Sequence, residues 1–340
     1  MKSDWEFDHV GLVVKDLDEI TTYYASIGIG VDIGTLGPNA TNPVPGSPEE
    51  EPIPRNQTVY GKPSPPRQRR PPSPSDPVVV NRLFANIQMG SLVIEGIHGR
   101  PEGAGFNDDF FRQQGEGISH ICFNLPDPEK ETAPLLKKGC EDIMNLTRAD
   151  TGKIIENYLG TAKYGALWLS FRPMPEQWHR KWQAHNRAHP LVSNWKFRGM
   201  GIATRDVTKA AEYYRDLGFA DLQPEAVIDS SSSADFKVYG LTGMVVKART
   251  RVAMVGSIAH EFAQPLEKQT VFGEFLTRKG EGVYSLDFAV DDLARETARL
   301  TYKGVRVVLS GKSDDGSSFA YFDTRKIGNL MVKLVQSAKK

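Results

Sequence analysis

This chain of 340 residues has few cysteines, no long apolar run and no excess of charge of either sign. Its two cysteines, Cys122 and Cys140, are too few for a disulfide framework, and they predict reduced thiols. No apolar run approaches the roughly 18 residues that a membrane-spanning helix needs. Basic and acidic residues number 42 each, so the formal net charge is zero and nucleic acid is not expected as a partner. The N-terminal stretch MKSDWEFDHV shows no signal peptide, so we expect a cytoplasmic protein without a membrane partner.

One short pattern occurs four times along the chain. Each copy is an apolar run, an acidic turn, an amphipathic stretch and then a glycine. The copies begin at Phe7, Gly117, Phe197 and Gly282. In the first copy, residues 8–14 are β-rich, Asp16 starts a helix that runs to about Ser26, and Gly28 ends it. Each copy is therefore predicted to fold as a strand, a helix and further strands.

The four copies pair off into two halves. Matched segments, such as GSLVIE at 90–95 and GSIAHE at 256–261, recur between the halves at a nearly constant spacing. A tandem duplication of a two-copy unit explains this regularity. We predict a first domain over residues 1–172, a linker over 173–195 and a second domain over 196–340.

Two segments interrupt the repeats. Residues 38–77 hold more than half of the 22 prolines, which predicts an exposed insertion in extended polyproline conformation. The alternative for this proline-rich insertion is a ligand for an SH3-type domain or a lid over a site. The linker mixes Trp, Arg and His, and we predict a helix packed across the two halves. The alternative there is a second metal site with His179, His185 and His189.

Three side chains of the first half form a candidate metal centre. His9 lies in the first strand of copy one, Glu95 in its last strand, and His120 in the first strand of copy two. Two imidazoles and one carboxylate suit Mn, Fe(II), Co, Ni or Zn, and they leave coordination positions open for water or substrate. The sequence therefore predicts one divalent metal, bound in the first half.

These features resemble the vicinal oxygen chelate superfamily, which contains glyoxalase I, methylmalonyl-CoA epimerase, fosfomycin-resistance proteins and extradiol dioxygenases. The stretches DHVGLVVKDLDE and GEGISHICF are most similar to the epimerase branch. The resemblance implies an α+β fold of four βαβββ modules that form two cupped mixed β-sheet domains. It also implies metal ligands at His9, Glu95, His120 and position 170. Because this position is Ser170 where the superfamily has Glu, we expect only three protein ligands.

The second half differs at the same places. Carried over by position, its four ligand places read Gly199, Glu261, Ser285 and Lys333. We predict a metal-free pseudo-domain in which Lys333 forms an ion pair with Glu261. Because the second half can take the place of a second subunit in a dimer, we expect a pseudo-dimeric monomer or a homodimer.

Alternation along the strands adds further residues to the cavity. The predicted substrate-binding residues are Cys122, Asn124, Tyr158, Trp168 and Ser170. Cys122 is interpreted as a small packed residue rather than a nucleophile. Tyr158 is interpreted as a core tyrosine, with substrate contact as the alternative. His98, just after Glu95, is a candidate proton carrier, and a loop histidine is the alternative.

A divalent centre with two neutral imidazoles and one carboxylate keeps a net positive charge and stabilises an enolate or alkoxide. We therefore expect an isomerase, epimerase or lyase that acts on a small oxygenated substrate, with Glu95 or His98 as the catalytic base. One alternative is an Fe(II) extradiol-type dioxygenase, which has a similar four-module layout although its metal half is usually C-terminal. The other is a non-catalytic protein that binds a small molecule.

Overall fold

The computed structural model describes residues 4–34, 54–64, 83–187, 191–232, 235–267 and 270–338. These residues form two ten-stranded mixed sheets, each bent into a cup, with helices packed against them. The expected α+β architecture of four βαβββ modules in two cupped domains is confirmed. Among the helices described, none is long and apolar enough to cross a membrane.

The first half is built around two central strands. In chain order its described elements are β1 (Glu6–Val14), α1 (Leu17–Ser26), β2 (Val31–Asp32), β3 (Arg55–Val59), β4 (Lys62–Pro63), β5 (Phe84–Met89), β6 (Leu92–His98), α2 (Phe106–Gln114), β7 (Gly117–Leu125), α3 (Pro128–Lys137), β8 (Glu141–Arg148), β9 (Ile154–Gly160) and β10 (Trp168–Pro173). The sheet order is β2-β5-β6-β1-β7-β10-β9-β8-β3-β4. Strands β1 and β7, the first of each module, are antiparallel neighbours, and each also pairs in parallel with the last strand of its own module. The first and last strands of both modules thus meet in the middle of the cup.

The second half repeats this order. After the linker helix α4 (Gln177–Asn186) come β11 (Lys196–Ala203), α5 (Val207–Leu217), β12 (Ala220–Leu222), β13 (Ala226–Asp229), β14 (Lys237–Val238), β15 (Lys247–Val255), β16 (Ile258–Pro265), α6 (Val271–Lys279), β17 (Gly282–Ala289), α7 (Leu293–Tyr302), β18 (Val307–Lys312), β19 (Ser318–Phe322) and β20 (Met331–Gln336). Its sheet order is β12-β15-β16-β11-β17-β20-β19-β18-β14, and β13 also pairs with β15. Equivalent strands hold equivalent places, as a tandem duplication requires.

The acidic turn of every repeat is a helix N-cap. The cap carboxylates accept hydrogen bonds from backbone N–H groups of the first helical turn, and the four residues are Asp16, Asp127, Asp206 and Asp292. Such a cap stabilises a helix by about 1 kcal/mol relative to alanine. At the other end of α5, Gly218 has a φ of 88°, a left-handed conformation that favours glycine. Local chemistry therefore sets the helix boundaries, and the helix predicted from Asp16 to about Ser26 is confirmed.

Part of the proline-rich insertion belongs to the first sheet. Strands β3 and β4 form a hairpin, and β3 pairs antiparallel with β8 at the far edge of the cup. The expected polyproline conformation is therefore wrong for residues 54–64, because the edge of β8 offers backbone groups that this stretch satisfies as a strand. The rest of 38–77 lies outside the described residues. In the second half, β14 pairs antiparallel with β18 at the equivalent edge of the sheet. The turn residues Tyr60 and Tyr239, which follow β3 and β14, both have a φ of 50°.

The two halves pack back to back. The sheet faces opposite to the cup interiors share one buried cluster, which includes Leu12 and Phe123 from the first half and Ile202 and Leu286 from the second. Polar contacts across this interface follow a pseudo-twofold pattern. Glu116 accepts a hydrogen bond from the backbone N–H of Gly328 (2.9 Å), and Glu281 accepts one from Gly165 (3.1 Å). The second half thus serves as the structural partner of the first within one chain.

Candidate metal centre

Three side chains from adjacent central strands converge inside the first cup. His9 on β1, Glu95 on β6 and His120 on β7 each offer one atom, and these atoms all lie within 4.8 Å of one another. The two histidine Nε2 atoms are 3.2 Å apart, and Glu95 Oε2 lies 3.5 and 3.8 Å from them. Donors that share a metal at about 2.1 Å are themselves about 3.0–3.4 Å apart. The three atoms are therefore close to the separation that a common ion imposes.

The surroundings of these atoms show that a cation fits between them. His9 Nδ1 lies 2.8 Å from Asp8 Oδ2, so Nδ1 of a neutral ring donates there and Nε2 presents its lone pair. Glu95 Oε2 is buried and has no hydrogen-bond partner among the described residues. Lone pairs of His9, His120 and Glu95 then point at one another, which is favourable only with a shared proton or a cation. The donor set suits a borderline divalent metal.

A proton on His9 meets the same requirement. Burial and Arg172 oppose the charged form of His9, but Asp8 and Glu95 raise the pKa of His9 to about 9. Burial and the adjacent charge on His9 hold the pKa of His120 well below its usual value. Burial opposes ionisation of Glu95, yet His9 and the other nearby positive charges lower the pKa of Glu95 to about 2. The pocket therefore favours one positive charge at the place where the three donors meet.

Two backbone features make this arrangement possible. A Cβ at Gly11 would lie 1.8 Å from Cε1 of His120, so the His120 ring can occupy its place only beside glycine. The register of β1 also shifts between Phe7 and His9, which is a β-bulge. Simple alternation would put Asp8 on the face opposite to His9, but the bulge brings its carboxylate to the His9 ring. Sequence reasoning missed Asp8 for this reason.

A second polar group borders the candidate ligands, and sequence reasoning missed it too. Arg172 NH2 lies 2.7 Å from Glu156 Oε1 and 3.7 Å from Glu95 Oε1. The Tyr158 hydroxyl donates to Glu156 Oε1 (3.2 Å) and lies 3.4 Å from His120 Nε2. Alternation along β9 and β10 could have found Glu156 and Arg172, because each lies two positions from a residue that was selected.

Most of the predicted substrate-binding residues line the same cup. Trp168 and Tyr158 face its interior and pack against the aromatic side chains of α2. Ser170 and Cys122 are cross-strand partners on β10 and β7, and both are buried. Burial raises the pKa of Cys122 well above its ordinary value, so the thiol stays protonated. Asn124 is buried further along the same face of β7.

The structure does not bring His98 to this cluster. His98 ends β6, where it pairs with Val14 of β1. It lies three positions after Glu95 in a strand without a bulge, so its side chain points to the opposite face. A proton carrier at the centre must therefore be sought elsewhere.

Helix α4 covers the first cup on one side. Trp182 packs with Val93 and Ile33, and Gln183 Nε2 donates to Asp8 Oδ1 at 3.0 Å. These contacts attach the predicted linker helix to the first half. Of the linker histidines, His189 lies outside the described residues.

The residues named above differ in how much of each side chain solvent reaches. The side chains of His9 and His120 are 4% and 0% exposed. Those of Glu95, Arg172 and Glu156 keep 16%, 25% and 14% of their surface exposed. A substrate that approaches the three donors would therefore pass these charged residues first.

The second cup has a lysine where the first has the candidate metal centre. Lys333 Nζ lies 2.8 Å from Glu261 Oε2 and 3.3 Å from Asp287 Oδ2, which confirms the predicted ion pair with Glu261. Burial opposes its charge, but the two carboxylates hold the pKa of Lys333 well above its usual value. Apolar and aromatic side chains fill much of this cup, among them Phe236, Phe272, Tyr284 and Tyr321. The second cup is thus a packed core with a permanent cation of its own.

Comparison with known proteins agrees with this architecture. The family described as the Glyoxalase/Bleomycin resistance protein/Dioxygenase superfamily matches residues 199–322. The second half of this chain is therefore similar to that superfamily. The first half repeats the modules of the matched half in the same strand order. No curated protein matches the sequence.

Several solved structures are similar to this chain. A triple mutant of 4-hydroxymandelate synthase from Streptomyces coelicolor superposes with a TM-score of 0.61 at 13% identity, over 99% of this chain and 94% of that one. A xylose isomerase-like TIM barrel/4-hydroxyphenylpyruvate dioxygenase fusion protein gives 0.51 at 12% identity, over 98% of this chain and 49% of that one. Methylmalonyl-CoA epimerase from Mycobacterium tuberculosis gives 0.34 at 22% identity, over 43% of this chain and 89% of that one. At these identities the likeness concerns the fold and not the reaction.

Proposed function

We propose that this protein is a divalent-metal-dependent enzyme that moves a proton next to a carbonyl group of a small oxygenated substrate, as an isomerase, epimerase or lyase. The observation that carries this proposal is the convergence of lone pairs from His9, Glu95 and His120. The fourth ligand place of the superfamily holds Ser170, and serine is a poor ligand for a borderline divalent metal. Coordination positions then stay open for substrate oxygens.

The donor set suits Mn, Fe, Co, Ni or Zn, and such an ion would supply Lewis-acid stabilisation of negative charge on a substrate oxygen. Residues of the chain prepare the site for it. Asp8 fixes the tautomer of His9, and Gln183 of α4 holds Asp8 in place. The helices α2 and α4 exclude water from the rest of the cup, which strengthens every electrostatic interaction inside it.

Bound metal is the first test of the site. Protein incubated with Mn, Co or Zn and then desalted should carry a single ion per chain by elemental analysis, whereas His9→Ala and His120→Ala should carry none. His185→Ala is the matched control, because His185 is an exposed histidine of α4. Wild-type stoichiometry in both site variants would show that the metal site is wrong.

Exchange of carbon-bound hydrogen is the test of the reaction. We would incubate metal-loaded protein without oxygen in D₂O with 2-oxo acids, 2-methyl-branched acyl thioesters and hemithioacetals of glutathione. Loss of the C–H signal in proton NMR, faster than without enzyme and absent with His120→Ala, is the expected result. No exchange with any member of this probe panel counts against the proposed reaction.

An Fe(II) dioxygenase is the second candidate, because two histidines and one carboxylate with open positions are also the ligand set of Fe(II) oxygenases. Substrate-dependent O₂ consumption by the Fe(II)-loaded protein would favour it. Turnover without oxygen on Mn, Co or Zn would exclude it as the main activity.

A further inference from the structure

The two cups allow an internal comparison of the residues around the candidate metal centre. Strand register equates β9 with β19 and β10 with β20, so Glu156 corresponds to Phe319 and Arg172 to Val335. The ion pair beside the metal ligands is therefore replaced by two apolar residues in the cup that lacks the ligands. Tyr158, by contrast, has its counterpart in Tyr321. The Glu156–Arg172 pair is therefore present in the cup that has the candidate ligands and is replaced in the cup that lacks them, although both cups have the same fold.

Hydrogen bonds fix the carboxylate of Glu156 close to the candidate metal ligands. Its Oε1 accepts hydrogen bonds from Arg172 Nε (2.9 Å) and from the Tyr158 hydroxyl (3.2 Å). That hydroxyl lies between Glu156 and Nε2 of His120, so one oxygen atom separates the carboxylate from a candidate ligand atom. Burying a carboxylate and a guanidinium together is unfavourable unless their geometry is well satisfied, and these hydrogen bonds satisfy Glu156 Oε1.

Ser170 leaves the fourth ligand place without a carboxylate, and Glu156 lies on the strand beside it. Ser170 pairs with Tyr158 across β10 and β9, which puts Glu156 two positions along the neighbouring strand on the same face. The edge that solvent reaches runs from Glu95 through Arg172 to Glu156. A substrate held by an oxygen at the three donors would extend towards this edge.

We propose that Glu156 is the catalytic base and that Tyr158 donates a hydrogen bond to the substrate oxygen, on substrates with an acidic C–H bond next to a carbonyl. This inference rests on the proposed function and adds the proton acceptor to it. The C–H bond breaks, its proton forms an O–H bond with the Glu156 carboxylate, and its electron pair becomes the C=C bond of an enolate. The negative charge moves to the substrate oxygen. Uptake of the proton by Glu156 ends the hydrogen bond that the Tyr158 hydroxyl donates to its carboxylate, so the one hydroxyl hydrogen of Tyr158 turns to the substrate oxygen. Return of the proton to carbon completes an isomerisation or epimerisation without any net oxidation.

Arg172 has a positioning role in this scheme. It holds Oε1 of Glu156 through Nε and NH2, and its NH2 also lies near Oε1 of Glu95. The guanidinium thereby keeps two carboxylates at a fixed separation, one for the metal and one for the proton. Replacing it should move Glu156 without removing it.

The experiment compares Glu156→Gln with a matched control and with wild type. Glu225→Gln is the control, because Glu225 forms a similar two-contact pair with Arg249 in the second half, remote from the first cup. Each protein is loaded with Mn, its metal content is measured, and hydrogen exchange in D₂O is followed on the probe that wild type exchanges fastest. Glu156→Gln should keep its metal and lose exchange by about 10²-fold or more. Glu225→Gln should match wild type in both measurements.

Two further readouts separate catalysis from structure. Exchange by Glu156→Asp should exceed that of Glu156→Gln, because a shorter carboxylate still accepts a proton. Tyr158→Phe should lower exchange by about 10²-fold while the metal stays bound. Exchange by Glu156→Gln within threefold of wild type overturns the role of Glu156 and leaves the proposed reaction standing. If wild type exchanges none of the probes, the proposed reaction fails and the base assignment falls with it.

Discussion

Replacement of Lys333 by methionine should destabilise the second cup strongly. Its ammonium lies between Glu261 and Asp287, at 2.8 and 3.3 Å, and the three side chains are only 13%, 21% and 8% exposed. Removal of one partner from a buried ion pair costs about 3–5 kcal/mol, because the remaining charge is left uncompensated. The partial exposure of this cluster lets water compensate some of that charge, so we expect a loss of about 2–4 kcal/mol in the free energy of unfolding.

The loss should depend on pH in a defined direction. Burial already raises the pKa of Asp287, with Lys333 opposing the shift. Without Lys333, the pKa of Asp287 rises further. A carboxyl group whose pKa is higher in the folded than in the unfolded state binds more protons when folded, so its contribution to stability is lost as pH rises. The deficit of Lys333→Met relative to wild type should therefore be larger at about pH 8 than at about pH 5. Lysine itself stays charged across this window, since its unfolded pKa is about 10.4.

Urea unfolding followed by circular dichroism measures this difference. Lys312→Met is the matched control, because Lys312 pairs with Asp235 at 59% and 61% exposure and should contribute under about 1 kcal/mol. Combining Lys333→Met with Glu261→Gln and Asp287→Asn removes all three charges and should restore most of the lost stability. A deficit below about 1 kcal/mol at neutral pH, or one that does not change with pH, would refute the account of Lys333 as the cation of the second cup.

Three further predictions concern the candidate metal centre. Gly11→Ala should displace His120 and weaken Mn or Zn binding by at least tenfold in calorimetry, since its Cβ would lie 1.8 Å from the ring; unchanged affinity would contradict the geometry. Asp8→Asn should weaken metal binding by about 10–100-fold, because His9 loses the carboxylate that orients it; an affinity equal to wild type would show that Asp8 plays no such part. Metal affinity of wild type should rise with pH until it levels off near the His9 pKa of about 9, because the ion must displace that proton. Calorimetry in buffers of different ionisation enthalpy should show proton release, and its absence below that pH would contradict the pKa of His9.

The fold could be predicted because its signals are local and repeated. Each acidic turn is an N-cap, as at Asp16 and Asp206, and the first strand of each copy is a largely apolar run. Four copies of one pattern then exclude most other architectures. The predicted polyproline conformation of the proline-rich insertion was wrong for residues 54–64 because the contact that decides it is not local. Composition alone does not say that residues 55–59 meet an unpaired strand edge, which is a contact between distant parts of the chain.

The candidate ligands could be predicted from the sequence because their residue types suggest a metal site. His9, Glu95 and His120 stood out for that reason, and the structure brings them together. Arg172 and Glu156 carry no such signal, because a charged residue near a strand end is ordinary in any sequence. Their significance comes from the cross-strand distances to one another and to Glu95.

The amino-acid sequence determined the duplication, the module boundaries, the three candidate ligands and the lysine of the second cup, since each depends on residue identity at a repeated position. Tertiary structure decided what surrounds them. A β-bulge turns Asp8 towards His9, alternation turns His98 away, and the pairing of β9 with β10 places Glu156 on the strand beside Ser170. The physical reason is that a strand specifies its own two faces, whereas the neighbours on each face are chosen by strand pairing between segments far apart in the chain.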